Sequence, residues 1–118
     1  MSEDNYKNEF YRRVYQFTLA IIRLLDGTKK DTTISVITHQ LLRSATSIIA
    51  NIVEAKSASS RKDYINFFTH ALKSANETKV WLCLLRDARK IDVTKELQEN
   101  EEIAKILARS IITLKTKK

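Results

Sequence analysis

Residues Gln40 to Ala55 read Gln-Leu-Leu-Arg-Ser-Ala-Thr-Ser-Ile-Ile-Ala-Asn-Ile-Val-Glu-Ala. Placed on a helix, Leu41, Ala45, Ile48, Ile52 and Ala55 advance by four, three, four and three positions and so hold to one side. Gln40, Arg43, Ser44, Ser47, Asn51 and Glu54 gather on another side as an uninterrupted polar stripe. Leu42, Ile49 and Val53 widen the apolar arc well beyond a narrow seam, so this helix needs more than one neighbour. The small side chains of Ala45, Ser47 and Ala50 let other backbones come close.

Outward from this stretch the same periodicity predicts four helices. The first runs over about 5–26, with Phe10, Val14, Phe17, Ile21 and Leu24 as its core edge. Gly27 follows, where a left-handed C-terminal residue is expected. Asp31, Thr32 or Thr33 can cap the second helix, over about 32–56. Ser60, with Asp63 three residues on, makes a capping-box-like start for a third helix over about 61–90. Tyr64, Phe68, Ala71, Ala75, Thr78, Leu82 and Leu85 form its seam. Asp92 or Thr94 can cap a fourth helix over about 94–115, with Leu97, Ala104, Leu107, Ile111 and Leu114 facing inward. Long helices with short links predict an all-α fold, an antiparallel up-down-up-down four-helix bundle forming a single domain over 1–118.

Composition agrees. Among 118 residues there is one Gly and no Pro, whereas sheet proteins and loop-rich enzymes need both at their turns. The single cysteine, Cys83, excludes an intramolecular disulfide, and its neighbours Trp81, Leu82, Leu84 and Leu85 predict a buried, inert thiol. The polar, acidic N-terminus is unlike a signal peptide, and no apolar run approaches the roughly 18 residues of a membrane span. A cytoplasmic protein is the expectation.

Catalytic signatures are missing from the sequence. His39 and His70 lack the carboxylate three residues earlier that bundle metal sites use; Val36 and Phe67 stand there. A phosphate loop needs several glycines to bring amides to the phosphate, and this chain has one. Glu54 and Glu77 lie among polar residues where pairing with Arg43 or another base is the simpler role than acid–base chemistry. No metal, no cofactor and no enzymatic activity are expected.

The cations are more informative. The formal net charge is +7. On the third helix Lys79, Arg86 and Lys90 recur at seven and four with Arg89 close by, and from Ile103 to Lys118 there are five bases and no acid. Arg86, Arg89 and Lys90, with Arg109, Lys115 and Lys117 on the fourth helix, are the candidate phosphate contacts for RNA or DNA. A solvated face, or an acidic protein partner, would use the same charges. Arg61 and Lys62 fall in the first turn of the third helix, where the dipole disfavours cations; a bound anion could offset that cost.

Two blocks of this chain resemble the 23S rRNA intervening-sequence proteins. Gln40, Leu41, Arg43, Ser44, Ala45, Ser47, Ile48, Ala50, Asn51, Ile52 and Glu54 match the first; Lys62, Asp63, Tyr64, Ile65 and Phe67 match the second. Ala71, Ser74 and Glu77 match a weaker third block. Ala55 and Lys73 depart from it, each standing where the family usually has Gly. The first departure suggests that the second helix continues to Lys56 or beyond without a left-handed break. The resemblance implies an all-α bundle that often assembles as a homo-oligomer, a ring-shaped pentamer. It also implies kinship with the accessory variability proteins of diversity-generating retroelements, which bind nucleic acid and a reverse transcriptase. Gln40, Arg43, Ser44, Ser47, Asn51 and Glu54 would then order a helix-to-helix or subunit interface.

Overall fold

Helices form where the apolar periodicity places them. The computed structural model describes residues 3–117, with side chains from residue 8 onward. Its elements are α1 (Glu3–Asp26), α2 (Thr32–Ala55), α3 (Arg61–Arg89) and α4 (Thr94–Thr116), each within two residues of the predicted ends. α1 lies against α2 and α4, and α3 against α2 and α4, so the four rods close a ring around one core. The bundle measures 50 × 25 × 20 Å. Ser44 beside Thr78 and Ser47 beside Ser74 show α2 and α3 running antiparallel. Asn100 at Ala75 and Arg61 at Lys117 show the same for α3 and α4.

Local chemistry sets the helix starts. Asp31 adopts an extended conformation and its Oδ1 accepts the Ile34 amide at 2.9 Å, capping α2. Ser60 caps α3 by accepting the Asp63 amide at 3.1 Å. The Asp63 carboxylate reaches back one residue further than a capping box requires, to the Ser59 amide at 3.4 Å and hydroxyl at 3.2 Å. Neither predicted cap stands at the start of α4. Val93 does, and its side chain is buried in the core. Asp92 holds the turn instead, accepting the Thr94 amide at 3.0 Å and hydroxyl at 2.7 Å.

The helix ends depart from expectation at Gly27, which is not left-handed. Its amide donates to the Arg23 carbonyl at 3.1 Å, the Thr28 hydroxyl to Leu24 at 2.7 Å, and Lys30 Nζ to Leu25 at 2.6 Å. With those carbonyls satisfied, no left-handed turn is needed. After Ala55 the chain stays right-handed: Lys56, Ser57 and Ala58 donate to carbonyls three residues back, tightening the end of α2. The one left-handed residue among those described is Lys90, at φ 55° and ψ 34°, which closes α3.

Val14, Ile21, Ile34, Leu41, Ile48, Leu82, Leu85, Ile103 and Leu107 fill the core. On α1 the buried leucine is Leu25 rather than Leu24, which is half-buried and packs at the edge. Leu97 and Leu114 of the predicted α4 seam are likewise only partly buried. Asn100 is an unforeseen polar residue in the core. Its Nδ2 donates to the Ala75 carbonyl at 2.9 Å, and its buried Oδ1 has no partner among the described residues. Cys83 is partly exposed, not buried, because it sits on the flank of α3 between core-facing Leu82 and exposed Leu84.

A lysine in the left-handed region carries a Cβ clash that glycine avoids. Lys90→Gly is expected to stabilise the bundle by about 1 kcal/mol. Denaturant melts of the two proteins measure this, and an unchanged or lower midpoint contradicts it.

Candidate nucleic-acid interface

The antiparallel arrangement distributes the predicted phosphate contacts along the rod. Arg86, Arg89 and Lys90 lie at the end formed by the C-terminus of α3 and the α1–α2 connector. Lys115 and Lys117 lie at the opposite end, beside the start of α3. Lys79 and Arg109 lie between, Lys79 paired with Glu101 at 3.7 Å and Arg109 exposed on the outer face of α4. The sequence set is thus two separate cationic ends rather than one continuous stripe.

At the first end most charges have defined tasks. Arg86 Nε donates to Asp87 Oδ1 at 2.8 Å, which raises its pKa and lowers that of Asp87. Arg89 donates to Asp31 Oδ2 at 3.1 Å, across 58 positions of sequence. Asp31 is held below the usual carboxylate range, first by the Ile34 amide and then by Arg89. Lys30 donates to the Leu25 and Thr28 carbonyls at the end of α1, at 2.6 and 3.1 Å. Arg23 and Lys29 are exposed and carry no ion pair among the described residues. Arg23, Lys29, Lys30, Asp31 and Arg89, with the apolar Leu24 and Ile91, line one cavity of about 620 Å³. Sequence spacing could not reveal it, because Arg23, Lys29 and Lys30 meet Arg89 only through the fold.

The opposite end answers the puzzle of cations in the first turn of α3. Arg61 Nη1 donates to the Lys117 carbonyl at 2.6 Å, so it serves the C-terminus of α4, where a cation is favoured. Lys56 lies over the Tyr11 ring at 4.6 Å, tying α2 to α1.

The polar stripe of α2 divides in two. Ser44 and Ser47 meet Thr78 and Ser74 of α3, each at 2.9 Å. Arg43 accepts support from Gln40, donating to its Oε1 at 2.9 Å, and forms an ion pair with Glu77. Glu77 also accepts from Trp81 Nε1 at 3.0 Å. Asn51 bonds within its own helix, to Ser47 at 2.8 Å, and Glu54 is exposed with no ion pair among the described residues. Of the predicted interface residues, Arg43, Ser44 and Ser47 therefore join α2 to α3, with Gln40 steadying Arg43.

Among the described residues no three His, Cys, Asp or Glu side chains are grouped to hold a metal ion, and no helix is long and apolar enough to cross a membrane. A second cavity, of about 690 Å³ on α4, is lined by Lys95, Glu99, Glu101 and Glu102. Its acids are already engaged: Glu99 with Arg13 at 2.7 Å, Glu101 with Lys79, and Glu102 with Lys105.

Fold and charge define a cationic, antiparallel four-helix bundle. Residues 6–112 match the 23S rRNA-intervening sequence proteins, and the chain belongs to that family. It is also similar to a solved structure from Bacteroides thetaiotaomicron, described as a protein of unknown function from the S23 ribosomal protein family. The two share 36% identity over 86% of this chain and 97% of the other, with a TM-score of 0.77. No curated protein matches the chain.

Asp31 links α2 to α3, and its charge carries the link. A carboxyl with a depressed folded pKa stabilises the fold above its unfolded pKa, near about 4, and loses that effect as pH falls through the folded value. Asp31→Ala is therefore expected to melt lower than the parent at pH 7. The gap should close in acid, as thermal melts between about pH 7 and pH 2 will record. A gap that persists unchanged in acid contradicts this account.

Proposed function

We propose that this chain is a non-enzymatic, self-associating basic bundle that binds nucleic acid as an accessory or scaffold protein. A reverse transcriptase of a retroelement is the protein partner that the resemblance adds. The observation that carries the reading is the cationic end itself. The α1–α2 connector and the end of α3 bring Arg23, Lys29, Lys30 and Arg89 around one cavity, with Arg86 and Lys90 at the same end of the bundle. Cations so placed neutralise phosphates and release counterions, whatever the base sequence. Lys90 supports the reading independently, since it keeps a charge where glycine would relieve backbone strain.

Self-association has its own support. Tyr15 and Ile22 on α1, and Leu42 and Val53 on α2, are exposed apolar residues. Tyr11 places this face of α1 beside α2, through its contacts with Tyr15 and Lys56. The two stripes flank the α1–α2 seam, the kind of apolar surface a second copy would cover.

Replacing Arg86, Arg89 and Lys90 together by Gln should weaken binding to unrelated RNAs and flatten its salt dependence. Loss of three phosphate contacts on single strands lowers the slope by about 2. Filter-binding titrations at two salt concentrations measure this; an unchanged slope removes the reading and favours an acidic protein partner. Tyr15→Glu with Val53→Glu should reduce the mass seen by light scattering to that of one chain. A parent already monomeric at working concentration removes self-association.

A further inference from the structure

We infer that the cavity beneath the α1–α2 connector is a binding site for a phosphate monoester. The inference rests on the nucleic-acid reading and narrows it to one place and one chemical group. Four cations face this cavity, from three elements: Arg23 of α1, Lys29 and Lys30 of the connector, and Arg89 of α3. One carboxylate, Asp31, faces them. The positions of Lys30 and Arg89 are prearranged. Lys30 is held by the Leu25 and Thr28 carbonyls, and Arg89 by Asp31. Arg23 and Lys29 have no ion-pair partner among the described residues.

That balance suits a dianion. Lys30 is held only by neutral carbonyls, so Arg23, Lys29 and Lys30 all lack a compensating charge among the described residues. A phosphodiester would answer one of them, whereas a terminal phosphate bears nearly two negative charges at neutral pH. The cap of α2 is already filled by the Asp31 carboxylate, so the side chains, not the helix N-terminus, would hold the phosphate. At about 620 Å³ the cavity exceeds a phosphate alone, and Leu24 and Ile91 give it apolar wall against which a sugar or base can rest. Both the 5′-phosphate end of a nucleic acid and a free mononucleotide present this chemistry.

The test uses the full chain and three probes: a 5′-phosphorylated RNA oligonucleotide, the same oligonucleotide with a 5′-hydroxyl, and AMP. The phosphorylated strand should bind about tenfold tighter, the effect of one charge-assisted contact pair. Arg23→Gln with Lys29→Gln should abolish that preference, while the hydroxyl strand still binds, weakened only by the general loss of positive charge. Both positions are exposed, so the fold should persist. Binding of AMP that is lost in the double variant supports the site and identifies a free nucleotide as a source. A preference without AMP binding supports the site as specific to strand ends. Equal affinity for both strands, with no AMP binding, overturns the site and leaves the nucleic-acid reading in place. No binding of either strand at low salt overturns that reading instead, and AMP then decides the cavity alone.

Discussion

The close approach of α2 to α3 is the constraint on which the bundle depends. Ser44 and Thr78 touch through their hydroxyls, as do Ser47 and Ser74, each pair at 2.9 Å. A larger residue at any of these positions would push the helices apart, and an apolar one would remove a hydrogen bond between them. Ser44 also donates to the Leu41 carbonyl, and Thr78 to that of Ser74, so each hydroxyl has an alternative use for its hydrogen. Outside this seam, Gln40, Arg43, Glu77 and Trp81 form a connected rim. Of the residues that carry the resemblance, Arg43, Ser44, Ser47, Ser74 and Glu77 join two helices. That is why family membership settles the fold and leaves the role open.

Antiparallel packing governs the helix ends in turn. Each N-terminus stands beside a neighbour's C-terminus, so a side chain can serve a helix other than its own. Arg61 begins α3 yet donates to the last turn of α4, and Arg89 ends α3 yet binds the cap residue of α2. Read along one helix, a cation in a first turn looks unfavourable. Beside an opposed helix it meets the negative end of the other dipole.

Helix positions, core faces and overall architecture were legible in the sequence because the 3.6-residue period needs only local information. Failures began where tertiary contact decides. Gly27 was expected to turn left-handed, but Thr28 and Lys30 satisfy the same carbonyls from outside the helix. Asn100 reads as a surface residue until Ala75, small enough to admit it, exposes a carbonyl to its amide. Cys83 was placed by its apolar neighbours, which misleads on a helix, where adjacent residues point in different directions. Arg86, Arg89 and Lys90 could be found as a run of charge. Their companions Arg23, Lys29 and Lys30 could not, being more than fifty positions away in sequence.

A formal charge of +7 says little until the cations are sorted by what the fold asks of them. Arg13, Lys30, Arg43 and Arg61 are engaged with carboxylates or helix carbonyls, and the structure would lose contacts without them. Arg23, Lys29 and Arg109 have no such ion pairs among the described residues, and Lys90 sits where another residue would fit better. Charges that the fold does not use, or tolerates at a cost, are where selection for binding would act. Two of these cations, Arg23 and Lys29, lie at the α1–α2 connector, and the strained Lys90 lies at the same end of the rod. Among the described residues, Arg23, Lys29 and Lys90 thus add charge without an ion pair at this end, through residues whose loss should leave the α2–α3 seam untouched.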